Sequence, residues 1–381
     1  MAIDTSAFDH ALSDKDATAM SEMASRACKG AAMCAASNDN PYDCQQSKVS
    51  SPEIDAMMGR LHEALFGERS VGVLVLRNVL GKTCTNDNRD AETNAAAHRD
   101  RLIHFSQALA ASFGKEVLPQ SADLSDTVGF VEQHDPEVDA SFVQRTQSDP
   151  KLQHSFKGWH LYRGYRNNKA QKLHTDAKHN ADVVIMSCIS QAASGGASKV
   201  CAVSDIIQKL SPTSVNMLCK PIPYACNDEF VPAWGGSIRG SAPLIAKDEY
   251  KRDTLQYSIN LRKNIEHGLA AHARQPVDES HYFNNHASTF RLEAETENHP
   301  QFVKIFSSQV RAALDDIEKV ANTDDVFQRV TLKPGDILVL DNRRYLHARD
   351  SFEDCAQQRR LLLRFWIRVR SKESIKHLFK C

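Results

Sequence analysis

The stretch Lys172-Leu-His-Thr-Asp-Ala177, running on towards Asp182-Val-Val-Ile-Met-Ser-Cys-Ile-Ser190, constrains this chain more than any other. In extended backbone, positions i and i+2 share a face, so His174 and Asp176 can converge on one cation; on a helix they diverge by roughly 200°. The pair alone carries little weight. With 16 His and 48 acidic residues among 381, about two His-x-acid triplets arise from composition. The second, His98-Arg99-Asp100, lies in an Ala- and Leu-rich run that reads as a helix. His174 differs because a β-branched run follows it, closed by Ser194-Gly195-Gly196.

Charge and composition remove several function classes. A net charge of −1 and a pI near 7.0 leave no global footprint for nucleic acid or an anionic membrane. No apolar run approaches the roughly 18 residues of a membrane span. The N-terminus lacks a basic region followed by an apolar stretch, and Asp4, Asp9, Asp14 and Asp16 argue against a transit peptide. The expected location is the cytoplasm, with neither nucleic acid nor membrane as partner. The ten cysteines form no Cys-x-x-Cys pair, which favours reduced structural thiols over a zinc site or a disulfide framework. His179, Cys188 and Cys201 are assigned to structure.

Along the chain, residues 1–50 read as a poorly ordered or peripheral arm, with a weak helix over Asp14 to Met33 as an option. From Ser51 the pattern sharpens into one domain over 51–381, with insertions around 118–170 and 221–299. Ser51 caps a helix whose first residue is Pro52, with Ile54, Met57, Met58, Leu61 and Leu65 at helical spacing. A buried strand is expected over Val71 to Val79 and a helix over about Ala95 to Phe113. Thr254 to Arg262 alternates as a strand would, placing Tyr257, Ile259 and Leu261 on one face. Phe302, Ile305, Phe306, Val310, Leu314 and Ile317 make the apolar stripe of a helix over 300–321. Then Arg329 to Leu332, the turn Lys333-Pro-Gly-Asp336 and Ile337 to Leu340 read as a hairpin, and Leu361 to Val369 as a further strand.

The gap before that last strand holds His347, Arg349, Arg359, Arg360 and Arg364. Two imidazoles and one carboxylate on one face of a metal, with open positions opposite, suit non-haem Fe(II) and O₂ chemistry. Burying a planar guanidinium is costly unless it meets an anion, and a carboxylate is its best partner. Arg360 and Arg364 lie four apart and share a face on a regular strand. Taken singly, His347 reads more often as a hydrogen-bonded loop histidine and Arg360 more often as a surface cation.

In Leu173-His-Thr-Asp176, Ser194-Gly-Gly-Ala-Ser198, Lys333 to Asp354 and Arg359-Arg-Leu-Leu-Leu-Arg-Phe-Trp366, the chain resembles the TauD/TfdA-like, clavaminate-synthase-like branch of the Fe(II)- and 2-oxoglutarate-dependent dioxygenases. The resemblance covers about residues 50 to 370, thinly before 155. It implies an α+β, mainly β fold: a double-stranded β-helix, or jelly roll, with flanking helices. It implies His174, Asp176 and His347 as iron ligands and Arg360 as the anchor for 2-oxoglutarate, with Arg359 a competitor for that role. Ser198 stands where the family places a hydroxyl near the cosubstrate, and Arg364 where some members contact an anionic substrate group. The long separation between His174 and His347 puts insertions between Pro221 and His299.

The implied cofactors are Fe(II), 2-oxoglutarate and O₂, and the implied outcome is hydroxylation, desaturation or a ring closure of the kainoid-synthase kind. Basic residues flanking the site, among them Arg163, Arg166, Lys172, Arg239, Arg262 and Arg364, favour a small carboxylated metabolite such as an amino acid or its derivative. The alternative from another class is a non-catalytic cupin or jelly-roll protein that binds a metal or ligand. A zinc hydrolase on the same triad lacks a general base and leaves Arg360 unexplained.

Overall fold

The computed structural model describes residues 14–36, 49–80, 91–114, 116–118, 128–132, 168–176, 181–225, 239–258, 261–262, 265–266, 269 and 300–369. Within them the helices are α1 (Asp14–Ala36), α2 (Pro52–Phe66), α3 (Ala91–Phe113), α4 (Val203–Lys209), α5 (Pro212–Leu218) and α6 (Pro300–Ala321). The strands are β1 (Val73–Leu76), β2 (Glu116–Leu118), β3 (Gly129–Glu132), β4 (Val183–Ser190), β5 (Ser194–Gly195), β6 (Ser198–Ala202), β7 (Ile222–Ala225) and β8 (Arg239–Ala242). They continue as β9 (Ile245–Lys247), β10 (Asp253–Leu255), β11 (Gln328–Val330), β12 (Ile337–Asp341), β13 (Tyr345–Arg349), β14 (Phe352–Glu353) and β15 (Leu361–Arg368).

Every pairing among them is antiparallel. The large sheet runs β1-β12-β4-β15-β2, and β3 shares the outer edge of β15 with β2. The smaller runs β11-β6-β13. Side-chain alternation along the strands sorts the core into layers. Val183 and Ile185 of β4, Ile337 and Val339 of β12, and Leu363 and Phe365 of β15 pack with α1, α2 and α3. Their neighbours Val184, Leu338, Leu362 and Trp366 face the other way and meet Val200 of β6 and Val330 of β11. The outer face of the smaller sheet, with Cys201, Leu346 and Ala348, is covered by Ile206, Leu218 and Leu314 of α4, α5 and α6. Two sheets thus face each other across one core, each backed by helices. A fully buried side chain such as Phe365 contributes on the order of 2 kcal/mol by leaving water.

Local sequence explains the best-placed elements. The Ser51 hydroxyl accepts the Ile54 N–H at 3.3 Å, and Pro52 opens α2. Val310, Leu314 and Ile317 of α6 are buried, whereas Ile305, expected on the same stripe, is exposed. Four expectations need correction. First, α1 packs Met20, Met23 and Ala24 into the core beneath the large sheet, and Asp16 bonds Arg60 of α2, so this stretch is no peripheral arm; its many small Ala side chains diluted the apolar stripe. Second, the strand expected over Val71 to Val79 is only Val73–Leu76, with Val71 exposed.

Third, β11 and β12 do not form a hairpin. β11 pairs with β6, and β12 with β1 and β4. Asp336 fixes the corner between sheets: its carboxylate accepts the N–H groups of Lys333 and Asn78, both at 2.9 Å, and Gly335 adopts φ +88°. Fourth, strand pairing over Thr254 to Arg262 stops at Leu255, although Tyr257 is buried. Ile259 and most of the expected insertions lie outside the described residues. Among the described residues no helix is long and apolar enough to cross a membrane.

Candidate metal centre and cosubstrate cleft

The segment 168–176 lies along the free edge of β13. Phe352 N donates to Asn168 O at 3.0 Å and Gln171 N to Arg349 O at 2.8 Å. His174 and His347 then exchange both backbone hydrogen bonds, at 3.0 and 2.8 Å, as an isolated antiparallel bridge. Directly opposed residues in such a pair send their side chains to the same face. The two rings accordingly sit with centroids 4.5 Å apart.

Asp176 completes the group. Its Oδ1 lies 3.6 Å from His174 Nε2 and its Oδ2 3.5 Å from His347 Nε2. One ligand atom from each of His174, Asp176 and His347 falls within 4.8 Å of the others, and among the described residues no other such group occurs. His174 Nδ1 meets the Lys172 carbonyl at 2.8 Å; that acceptor fixes the proton on Nδ1 and leaves the Nε2 lone pair for a cation.

Two residues that sequence reasoning passed over hold the carboxylate in place. Asn342 accepts the Asp176 N–H at 2.9 Å and donates to the carbonyls of Asp176 and Ala181 at 2.8 and 2.9 Å. The Trp366 indole N–H donates to Asp176 Oδ2 at 2.7 Å. The signals were available: Asn342 sits in the tight loop between β12 and β13, and Trp366 is two residues beyond Arg364 on one strand face. Thr175 is fixed as well, exchanging hydrogen bonds with the backbone of Tyr257.

Burial disfavours ionisation of Asp176, yet Arg364, then His347, and hydrogen bonds from both histidines outweigh it and hold the carboxyl well below its usual range. Burial, then the neighbouring His174, lowers the His347 imidazole, with Asp176 opposing. At neutral pH the group is therefore a carboxylate beside a neutral imidazole, the states a divalent metal requires.

Along the inter-sheet face lies a small cleft lined by Cys188, Gly196, Ser198, Leu332, Arg360 and Leu362. Gly195 (φ +72°) and Gly196 (φ +74°) shape its rim: a Cβ on Gly195 would stand 2.3 Å from Ser351 O, and one on Gly196 3.1 Å from Arg360 Nε. Ser198 is buried here. Arg360 is 4% exposed, its N–H bonds Asp354 at 2.9 Å, and its buried Nη1 has no hydrogen-bond partner among the described residues. Arg359 is exposed. Burial draws the Arg360 guanidinium down to about 10 and pushes the Cys188 thiol up to about 12. Arg349 flanks Phe352 from 4.6 Å, with Arg360 at 5.4 Å from the same ring.

The remaining arginines are spread out. Arg364 is buried, 3.6 Å from Asp176 Oδ2 and 4.2 Å from the Trp366 ring centre. Arg262 bonds Asp315 and Glu318 of α6, and Glu318 also bonds Lys172. Arg239 opens β8 opposite Ala225, its side chain lying outside the described residues, as do Arg163, Arg166 and His179.

Residues 50–366 match the taurine catabolism dioxygenase TauD, TfdA family. The chain belongs to this family and is a dioxygenase of it. The solved structures most like it include an asparagine oxygenase in complex with Fe(II), 2S,3S-3-hydroxyasparagine and succinate, at 16% identity, TM-score 0.53, covering 94% of this chain and 93% of that one. Another is the non-haem iron oxygenase OrfP with Fe and α-ketoglutaric acid, at 15% identity, TM-score 0.54, covering 98% and 97%. A third is OrfP with Fe, succinate and (3R,4R)-dihydroxy-L-Arg, at 14% identity, TM-score 0.53, covering 96% and 95%. The shared fold is what this likeness establishes. No curated protein sequence matches the chain.

Proposed function

We propose that the protein is an Fe(II)- and 2-oxoglutarate-dependent oxygenase that hydroxylates an amino acid or a close derivative, working in the cytoplasm as a single domain to which α1 contributes as well as the residues from 51 onward. The observation that carries this reading is the paired backbone of His174 and His347, with the Asp176 carboxylate within 3.6 Å of both Nε2 atoms. Two facing antiparallel sheets with the triad at one edge support a jelly-roll core. The donor set fits Fe(II), and the buried, unmet Nη1 of Arg360 fits a carboxylate. His174, Asp176 and His347 would hold the metal; Arg360, with the Ser198 hydroxyl, would hold the distal carboxylate of 2-oxoglutarate. Arg359, being exposed, is left the weaker choice.

When bound, iron with 2-oxoglutarate and O₂ supplies the oxidant for hydrogen abstraction. The chain's own contribution is placement: a fixed His174 tautomer, a clamped Asp176 and a buried Arg360 with a donor left unmet. Arg364, beside the triad, would receive the substrate carboxylate, with Arg262 and Arg239 as outer contacts. Hydroxylation is favoured because the ligands named with the similar structures are hydroxylated asparagine and arginine.

The test is succinate release from 2-oxoglutarate with Fe(II) and a panel of amino acids, including asparagine, arginine and N-alkylated glutamates. A product one oxygen atom heavier is expected; desaturated or cyclised product would redirect the outcome but not the class. No turnover across the panel, together with no 2-oxoglutarate binding, would favour the ligand-binding jelly-roll alternative.

A further inference from the structure

Asp176 meets its neighbours unequally through its two oxygens. Oδ1 lies 3.6 Å from His174 Nε2. Oδ2 takes the Trp366 indole N–H at 2.7 Å, with His347 Nε2 at 3.5 Å and Arg364 Nη1 at 3.6 Å. Of these only the indole contact has the length of a strong charge-assisted hydrogen bond. Its donor is held by the large sheet: Trp366 is paired with Val184 on one side and Leu118 on the other, and is 5% exposed.

We propose that Trp366 is a positioning residue that reserves Oδ2 of Asp176, so that the carboxylate offers a metal one oxygen, Oδ1, and cannot chelate through both. This rests on the iron-site reading above and deepens it. A carboxylate binds a cation through one oxygen or two, and a second oxygen would consume a position that a small-molecule ligand needs. An indole N–H donates and never accepts, so it can occupy Oδ2 without competing for the metal. The same ring supports the Arg364 guanidinium at 4.2 Å, which links the arginine proposed for substrate to the orientation of the metal ligand. A purely structural role, in which the buried indole merely finds an acceptor, makes different predictions.

Co(II), a spectroscopic stand-in for Fe(II), separates them. Trp366→Phe keeps the ring and removes the donor. Its Co(II) affinity should fall about tenfold, and the visible absorption of bound Co(II) should change as the carboxylate gains its second oxygen. Phe365→Leu, on the opposite face of β15, sets the effect of core damage alone and should change neither. Equal affinity within twofold and an identical spectrum for Trp366→Phe would overturn the assignment.

If Trp366→Phe does not fold, the wild-type protein with ¹⁵N-labelled tryptophan, of which the chain has three, gives the answer by NMR. The Trp366 indole proton should stay protected from solvent exchange on loading with Zn(II); loss of protection would overturn the proposal. A wild-type protein that binds no Co(II) would defeat the iron-site reading and this assignment together, whereas a binding wild type matched by its variant defeats the assignment alone.

Discussion

The two ends of the site are built on opposite terms. At the metal end the backbone of both histidines is paired, Asp176 is clamped at its peptide and its carboxylate, and His174 has its tautomer fixed. At the cleft end a buried guanidinium keeps a donor unmet, and two cations share one aromatic ring. If iron and 2-oxoglutarate sit as proposed, the contrast says where the binding energy of each would come from. A metal needs ligands already in place, whereas a dianion is attracted by charge the protein has left uncompensated.

The sharpest way to break this comparison is to remove a ligand. His347→Ala should abolish Co(II) or Fe(II) binding, weakening it by more than about 100-fold, beyond the range for outer residues, with equilibrium dialysis as the check. Arg360→Leu should do the reverse: metal affinity within twofold of wild type, but no stabilisation by 2-oxoglutarate, where the wild type gains about 2.7 kcal/mol at 100 times its Kd. Because the substitution removes a buried cation with an unmet donor, the ligand-free variant should melt no lower than wild type; a clear drop would show that the cleft is already satisfied.

Asn342→Ala takes three buried hydrogen bonds from the Asp176 loop and should cost about 3 kcal/mol in urea unfolding, with weaker metal binding alongside. The effect of pH is smaller. His347 is lowered below 6.5 in the folded state, so the unfolded chain takes up that proton first as pH falls. Its contribution is present above pH 6.5 and lost on acidification below it, at no more than about 1.4 kcal/mol per pH unit. Melting of the metal-free protein should show that slope, and His347→Gln should flatten it. Least of all, Arg262→Gln should cost under about 1 kcal/mol in stability, as a partly exposed pair does; a loss of substrate affinity beside it would support the outer contact proposed for Arg262, and unchanged affinity would remove it.

Much of the site was legible because its chemistry is local. The pairing of His174 with Asp176 follows from a two-residue period, and Arg360 was separable from Arg359 by strand parity. Despite a register shift between Leu361 and Leu362, Arg360 lines the cleft with Leu362, which agrees with that parity without testing which arginine anchors a ligand. Asn342 and Trp366 were not found because their role depends on what lies across the fold from them, Asp176 being remote in sequence. The hairpin reading of Lys333–Asp336 failed for a similar reason: a tight turn reports a change of direction, not which sheet receives the next strand. In α1 the apolar signal was diluted by alanine, and only its neighbours α2 and α3 show which side is inward.

The bridge between His174 and His347 is isolated, with no ladder continuing it. Two backbone hydrogen bonds there, with those from Gln171 to Arg349 and from Phe352 to Asn168, fasten segment 168–176 to strands nearly half the polypeptide away. A cation shared by both rings would act as a clasp on that seam. Metal loading would then govern how often the segment lifts from β13, so that slow hydrogen exchange at the amides of Gln171, His174 and His347 would record whether the centre is filled.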